Sequence, residues 1–135
     1  MKSFIIHMSS STSRRPNAKR LLDVLPNAQL IEAVDGRDAE QISGVQVLAG
    51  THLAPPYPFP IGPGEVGCFL SHRKCWQAIV DGDAPYALVV EDDLAINPVL
   101  WSDVLTLIDT HADADSFMVS GVPQSGDLLV NANFD

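Results

Sequence analysis

Apolar and polar residues along the chain change their spacing several times, and each change marks an element. Lys2 to Met8 (KSFIIHM) has β-branched Ile5 and Ile6 at its centre and reads as a first strand. A polar loop, Ser9 to Ser13, leads into a short helix carrying Arg14, Arg15, Lys19 and Arg20. Ala28 to Val34 predicts a second strand, which the turn pair Asp35-Gly36 ends. Arg37 to Pro60 reads mostly as loop. Ala54 to Pro63 holds five of the ten prolines, a density that neither a helix nor a central strand accepts.

Pro63 to about Val80 gives the clearest helix. Gly62 is placed as N-cap, Pro63 as the first helical residue and Glu65 as the third, where a carboxylate reaches back to open amides. Val66, Phe69, Leu70, Trp76, Ile79 and Val80 recur at helical spacing and predict the buried stripe. Glu65 and His72 fall inside that stripe at roughly 100° per residue, an unusual place for two ionisable side chains. Gly82 stops the helix, and YALVVEDDL from Tyr86 to Leu94 supplies the next strand. Asn97-Pro98 opens a further helix to His111, with Val99, Leu100, Val104, Leu105, Leu107 and Ile108 inward. Ser116 to Val122 and Leu128 to Phe134 read as the last strands. Strands alternating with helices predict an α/β domain with a largely parallel sheet.

Composition narrows the class. The 135 residues suffice for one domain with a real core; 46 % hydrophobic and 19 % charged residues are globular values. A net charge of −9 argues against nucleic acid or an anionic membrane as the main partner, although a local phosphate site is compatible with it. Five of the eight basic residues lie within the first twenty positions. Cys68 and Cys75 on one helix are separated by roughly 10 Å along its axis, too far for a disulfide. With no second Cys/His group at zinc spacing, both read as core thiols. The apolar start is too short for a signal peptide and no segment approaches a membrane span, which makes a cytoplasmic protein the plain expectation.

The chemistry concentrates where Ala87–Val90 runs into Glu91, Asp92 and Asp93. In an open α/β sheet, ligands bind beyond the carboxyl ends of the strands. Strand alternation puts Glu91 and Asp93 on one side and points Asp92 away. Two adjacent carboxylates repel, and a divalent cation reverses the sign; hard oxygen ligands suit Mg²⁺ or Mn²⁺, with a substrate phosphate completing the shell.

The stretch from Gly62 to Asp93, GPGEVGCFLSHRKCWQAIVDGDAPYALVVEDD, resembles the signature of the family 25 glycosyltransferases, the lipooligosaccharide-biosynthesis enzymes related to collagen galactosyltransferases. Four elements occur in order: FIIHMSSSTSRR, AVDGR at Ala33–Arg37, the GEVGCFLSH block, and EDD. The resemblance implies a GT-A-like (Rossmann-like) fold over residues 1–135, a single domain forming the nucleotide-sugar-binding half with little chain after the acidic motif. It also implies a nucleotide-sugar donor, typically a UDP-hexose, and a divalent metal (Mn²⁺ or Mg²⁺). EDD would replace the GT-A DxD motif, with Asp93 ligating the metal, Glu91 beside it, and Asp92 holding ribose, sugar or a backbone amide. Arg14 and Arg15 would meet the diphosphate and Asp35 the nucleoside, while Glu65, Ser71 and His72 would line the site. The acceptor would be lipooligosaccharide or another glycan, and the location cytoplasmic, peripheral to the inner membrane. No residue is assigned as catalytic base.

Two other readings compete. One is a non-catalytic homologue that binds a nucleotide or a protein partner, with homo-oligomerisation covering the exposed sheet edge. The other is a receiver-type signalling domain, which needs an acid pair after strand one and a late lysine. Strand one ends in His7-Met8 and no lysine follows Lys74, so this second reading fails.

Overall fold

The computed structural model describes residues 1–48, 55, 58–110, 118–121 and 128–131. They fall into two compact units, Met1–Ala95 and Ile96–Asp135. The first unit is built on a three-stranded parallel sheet in the order β2-β1-β3, with β1 Lys2–His7, β2 Ala28–Glu32 and β3 Ala87–Glu91. β1 is central because Ser3 to His7 is buried throughout and both its edges are paired. β1 is followed by α1 (Arg15–Val24) and β2 on one side; α2 (Ala39–Ile42) and α3 (Pro63–Val80) then lead to β3 on the other side. The strand order therefore reverses between β1 and β3. This is the expected α/β architecture, a parallel sheet flanked by helices.

The two sheet faces take different helices. Phe4 and Ile6 form a core with Cys75 of α3, joined by Ile31, Val89, Ala78 and Ile79. Alternation turns Ser3, Ile5 and His7 to the opposite face, where α1 packs against β1 and β2 through buried Ala18 and Leu21.

The second unit holds α4 (Pro98–Thr110) and an antiparallel pair, β4 Met118–Gly121 with β5 Leu128–Asn131. A hairpin, and not a continued parallel sheet, forms here: residues 122–127 are too few for a parallel crossover, which needs about a dozen. Of the expected inner residues of α4, Val104 and Ile108 are buried while Val99 is 80 % exposed. His111 and the outer residues of the last two expected strands lie outside the described residues.

The helix over residues 63–80 forms with the expected bounds, and Glu65 Oε2 accepts from the Gly62 amide at 3.0 Å. Its buried face is the expected one only in part: Val66 is buried and Ile79 packs on the core. Val66, Gly67, Ser71 and Cys75 point inward, whereas Phe69, Trp76 and Val80 are exposed. The helix approaches the backbone after β2 too closely for large side chains. A methyl at Gly67 would lie 2.8 Å from both the Val34 carbonyl and the Gly36 amide, and one at Gly36 would overlap the Pro63 carbonyl. Ser71 closes this contact by accepting from the Val34 amide at 2.8 Å and donating to the Gly67 carbonyl at 2.7 Å. Contact distance, not hydrophobicity, selected the inner face.

Candidate functional site at the carboxyl ends of β1 and β3

The end of β3 is set by register. Ile6 lies opposite Glu91, and the Asp92 amide donates to the Ile6 carbonyl at 3.1 Å, which carries the pairing one residue further. Glu91 thus shares the α3 face with Ile6, and Asp92 shares the α1 face with His7. The chain then turns, with the Leu94 amide donating to the Glu91 carbonyl at 3.1 Å. Strand alternation therefore governs the first two carboxylates but not Asp93.

Asp92 is 5 % exposed and each of its polar groups is engaged. Its Oδ2 lies 2.7 Å from His7 Nδ1, and its Oδ1 accepts from Arg14 Nη1 at 2.9 Å. Because a carboxylate only accepts, the His7 proton facing it sits on Nδ1. Asn17 Nδ2 donates to the backbone carbonyls of Asp92 at 2.8 Å and Leu94 at 3.0 Å. Arg14 Nη1 also reaches Asp93 Oδ2 at 3.1 Å, and both carboxylates, the Asp92 hydrogen bond foremost, hold its guanidinium above the usual range. The cluster ties the ends of β1 and β3 to the start of α1.

Beyond the strand ends, between this cluster and α3, lies a cavity of about 370 Å³, within the range of small-molecule sites. Arg14, Asp35, Ser71, His72, Glu91 and Asp92 line it, together with Arg37 and Cys68. Six of the nine expected site residues thus meet in one place. Arg15 does not: its Nη2 donates to the Ser9 carbonyl at 2.6 Å, and it lines a separate concavity with His7, Lys19 and Glu32. Glu65 serves as the helix cap, and Asp93 stands off the cavity wall on Arg14.

Charge pairing leaves one carboxylate distinct. Asp35 accepts from Arg37 through both oxygens, at 2.9 and 2.8 Å, which holds its carboxyl below the usual range. Asp92 has Arg14. Glu91 has no cation within ion-pair distance among the described residues. Its neighbours are instead Cys68, whose Sγ lies 3.8 Å from Oε1, and His72, one turn further along α3. Cys68 is exposed and faces this cavity, which corrects the expectation of two core thiols; Cys75 alone is core. Partial burial, then the anion of Glu91, pushes the Cys68 thiol up.

His7, Arg37 and Cys68 were not singled out as site residues by sequence. Cys68 precedes His72 by four on α3, a spacing that places side chains together. Arg37 meets Asp35 in the turn after β2, where its amide also donates to Asp35 Oδ1 at 3.0 Å. Nothing local marks His7, because its partner is 85 positions away.

A crevice beyond the carboxyl ends of a parallel sheet, at the point where strand order reverses, defines the ligand-binding class of α/β domains. The family profile described as "Glycosyltransferase family 25 (LPS biosynthesis protein)" matches residues 1–125. The chain belongs to glycosyltransferase family 25. It is 38 % identical over 96 residues to procollagen galactosyltransferase 1 of Danio rerio, covering 67 % of this chain and 16 % of that one. It is 29 % identical over 110 residues to procollagen galactosyltransferase 2 of Homo sapiens, covering 78 % and 18 %. It is also 34 % identical over 97 residues to the inactive glycosyltransferase 25 family member 3 of Mus musculus, covering 67 % and 16 %. The chain spans less than a fifth of the length of these curated relatives. No solved structure matches it significantly. No helix among the described residues is long and apolar enough to cross a membrane.

Proposed function

We propose that residues 1–135 form the nucleotide-sugar-binding part of a glycosyltransferase that moves a hexose from a UDP-sugar to a lipooligosaccharide or other glycan acceptor. The activity is proposed to act in the cytoplasm at the inner membrane. One observation carries the reading: the crevice at the β1/β3 switch point presents two guanidinium groups, Arg14 and Arg37, beside the unpaired carboxylate of Glu91. Guanidinium forks suit a diphosphate, and Asp35 at the cavity wall is the carboxylate proposed to meet the nucleoside.

The divalent ion of this reading fits the site in part. Glu91 would offer it a carboxylate in the cavity, and Asp93, paired with Arg14 off the cavity wall, would be its second oxygen ligand. Such an ion would stabilise the charge on the leaving nucleotide. The chain itself holds the Glu91 backbone in register against Ile6, fixes Arg14 through Asp92, and walls the cavity with Ser71 and His72 on α3.

Calorimetry of UDP and UDP-hexoses with and without Mn²⁺ tests this. UDP should bind more tightly with Mn²⁺, and both Glu91→Ala and Asp93→Ala should remove the metal-dependent part. UDP binding indifferent to metal and to both substitutions overturns the donor site. Metal-dependent binding without sugar transfer supports instead the binding-only reading, towards which the likeness to the inactive mouse protein points.

A further inference from the structure

Cys68 and His72 stand one turn apart on α3, and Glu91 reaches them from the end of β3. One donor atom from each lies within 4.8 Å of the other two. We infer that Cys68, His72 and Glu91 form a three-ligand site for a zinc-class divalent ion, with its fourth position open to the cavity.

The spacing is the first argument. Zinc–sulfur bonds of about 2.3 Å and zinc–nitrogen or zinc–oxygen bonds of about 2.0–2.1 Å, at tetrahedral angles, put sulfur about 3.6 Å from the other ligands. Cys68 Sγ is 3.7 Å from His72 Nδ1 and 3.8 Å from Glu91 Oε1. Both also fall within the range of sulfur hydrogen bonds, the thiol donating to Glu91, so an ion would take the place of the thiol proton.

Donor chemistry is the second. A thiolate with an imidazole and a carboxylate is a borderline-soft set, which selects zinc over magnesium; an all-oxygen shell does the reverse. Three protein ligands with an open fourth position is the arrangement of zinc sites that also take water or substrate. The scaffold is rigid as well: two ligands at i and i+4 sit on one eighteen-residue helix, and the third ends a paired strand. His72 Nδ1 donates to the Cys68 carbonyl at 3.0 Å, so its ligation requires the tautomer with the proton on Nε2 and gives up that bond; the carbonyl keeps the helix's own His72 amide.

The inference shares Glu91 with the sugar-nucleotide reading, but Cys68 and His72 belong to it alone as ligands, so a thiolate signal separates its failure from that of the donor site. Co²⁺ titration of the full chain is the test. One equivalent should give a near-ultraviolet thiolate-to-cobalt band, and excess Zn²⁺ should bleach it. The band should vanish in Cys68→Ser and persist in Cys75→Ser. His72→Ala and Glu91→Gln should weaken Zn²⁺ binding at least about tenfold, since even groups behind metal ligands contribute that much. Far-ultraviolet circular dichroism checks that each variant is folded. No thiolate band in the folded wild type, or one that survives Cys68→Ser, overturns the inference.

Discussion

Two clusters of similar composition sit at the same end of the sheet, on opposite faces. On the α1 face, His7, Asp92 and Arg14 interlock: histidine and carboxylate are both 5 % exposed, and every polar atom of Asp92 has a partner. On the α3 face, Cys68 Sγ lies 3.7 Å from His72 and 3.8 Å from Glu91, with no cationic partner for Glu91 among the described residues. The first is internally paired and holds the strand ends together, although Arg14 and Asp92 also reach the cavity wall; the second is open to that cavity. Glu91 and Asp92, adjacent in sequence, are turned by the pleat to opposite faces, one without a cation partner and the other paired with Arg14.

The sharpest way to break that contrast is Asp92→Ala. It leaves His7 buried without its partner and should cost about 3–5 kcal/mol, read by urea unfolding. Gly67→Ala should follow, at about 1–3 kcal/mol, because the methyl meets the Val34 carbonyl and Gly36 amide at the tightest helix–strand contact. By the same assay Glu91→Gln should stay within about 0.5 kcal/mol of wild type, while abolishing metal-dependent UDP binding. If Asp92→Ala proves as mild as Glu91→Gln, the division into architectural and binding carboxylates fails.

The two cysteines give a smaller, pH-dependent test. Burial pushes the Cys75 thiol up to about 11 from 9.0, so folding favours its protonated form. That stability is present below pH 9 and declines as pH rises towards 11, because the unfolded thiol ionises first. Cys75→Ala should lack this component of the alkaline decline. In the native chain a thiol reagent should label Cys68 alone, faster as pH rises, and reach Cys75 only on unfolding.

Much of the fold was legible in the chain. The bounds of α3 follow from Gly62, Pro63, Glu65 and Gly82, because caps and breakers act locally. The strand around Leu88–Val90 follows from a run apolar enough to be buried. The inner face of α3 was legible only at Val66 and Ile79, because Phe69 and Trp76 outweigh Gly67 and Ser71 in any hydrophobic pattern. Their exposure reflects how near the helix comes to the Val34–Gly36 backbone, a distance no periodicity contains. The antiparallel β4–β5 pair was readable in hindsight from the short interval between the strands.

The site divides along the same line. Sequence by itself determined that three carboxylates end a buried strand, that Glu91 and Asp92 point to opposite faces, and that the chain carries the signature of its family. These are properties of short segments, fixed by pleat and residue order. Only the tertiary structure decided that His7 and Arg14 claim Asp92, that Arg14 takes Asp93 as well, and that Cys68 and His72 stand beside Glu91. Each of those pairings joins residues from different elements, and burial, charge neutralisation and ligand geometry act through space and not along the chain.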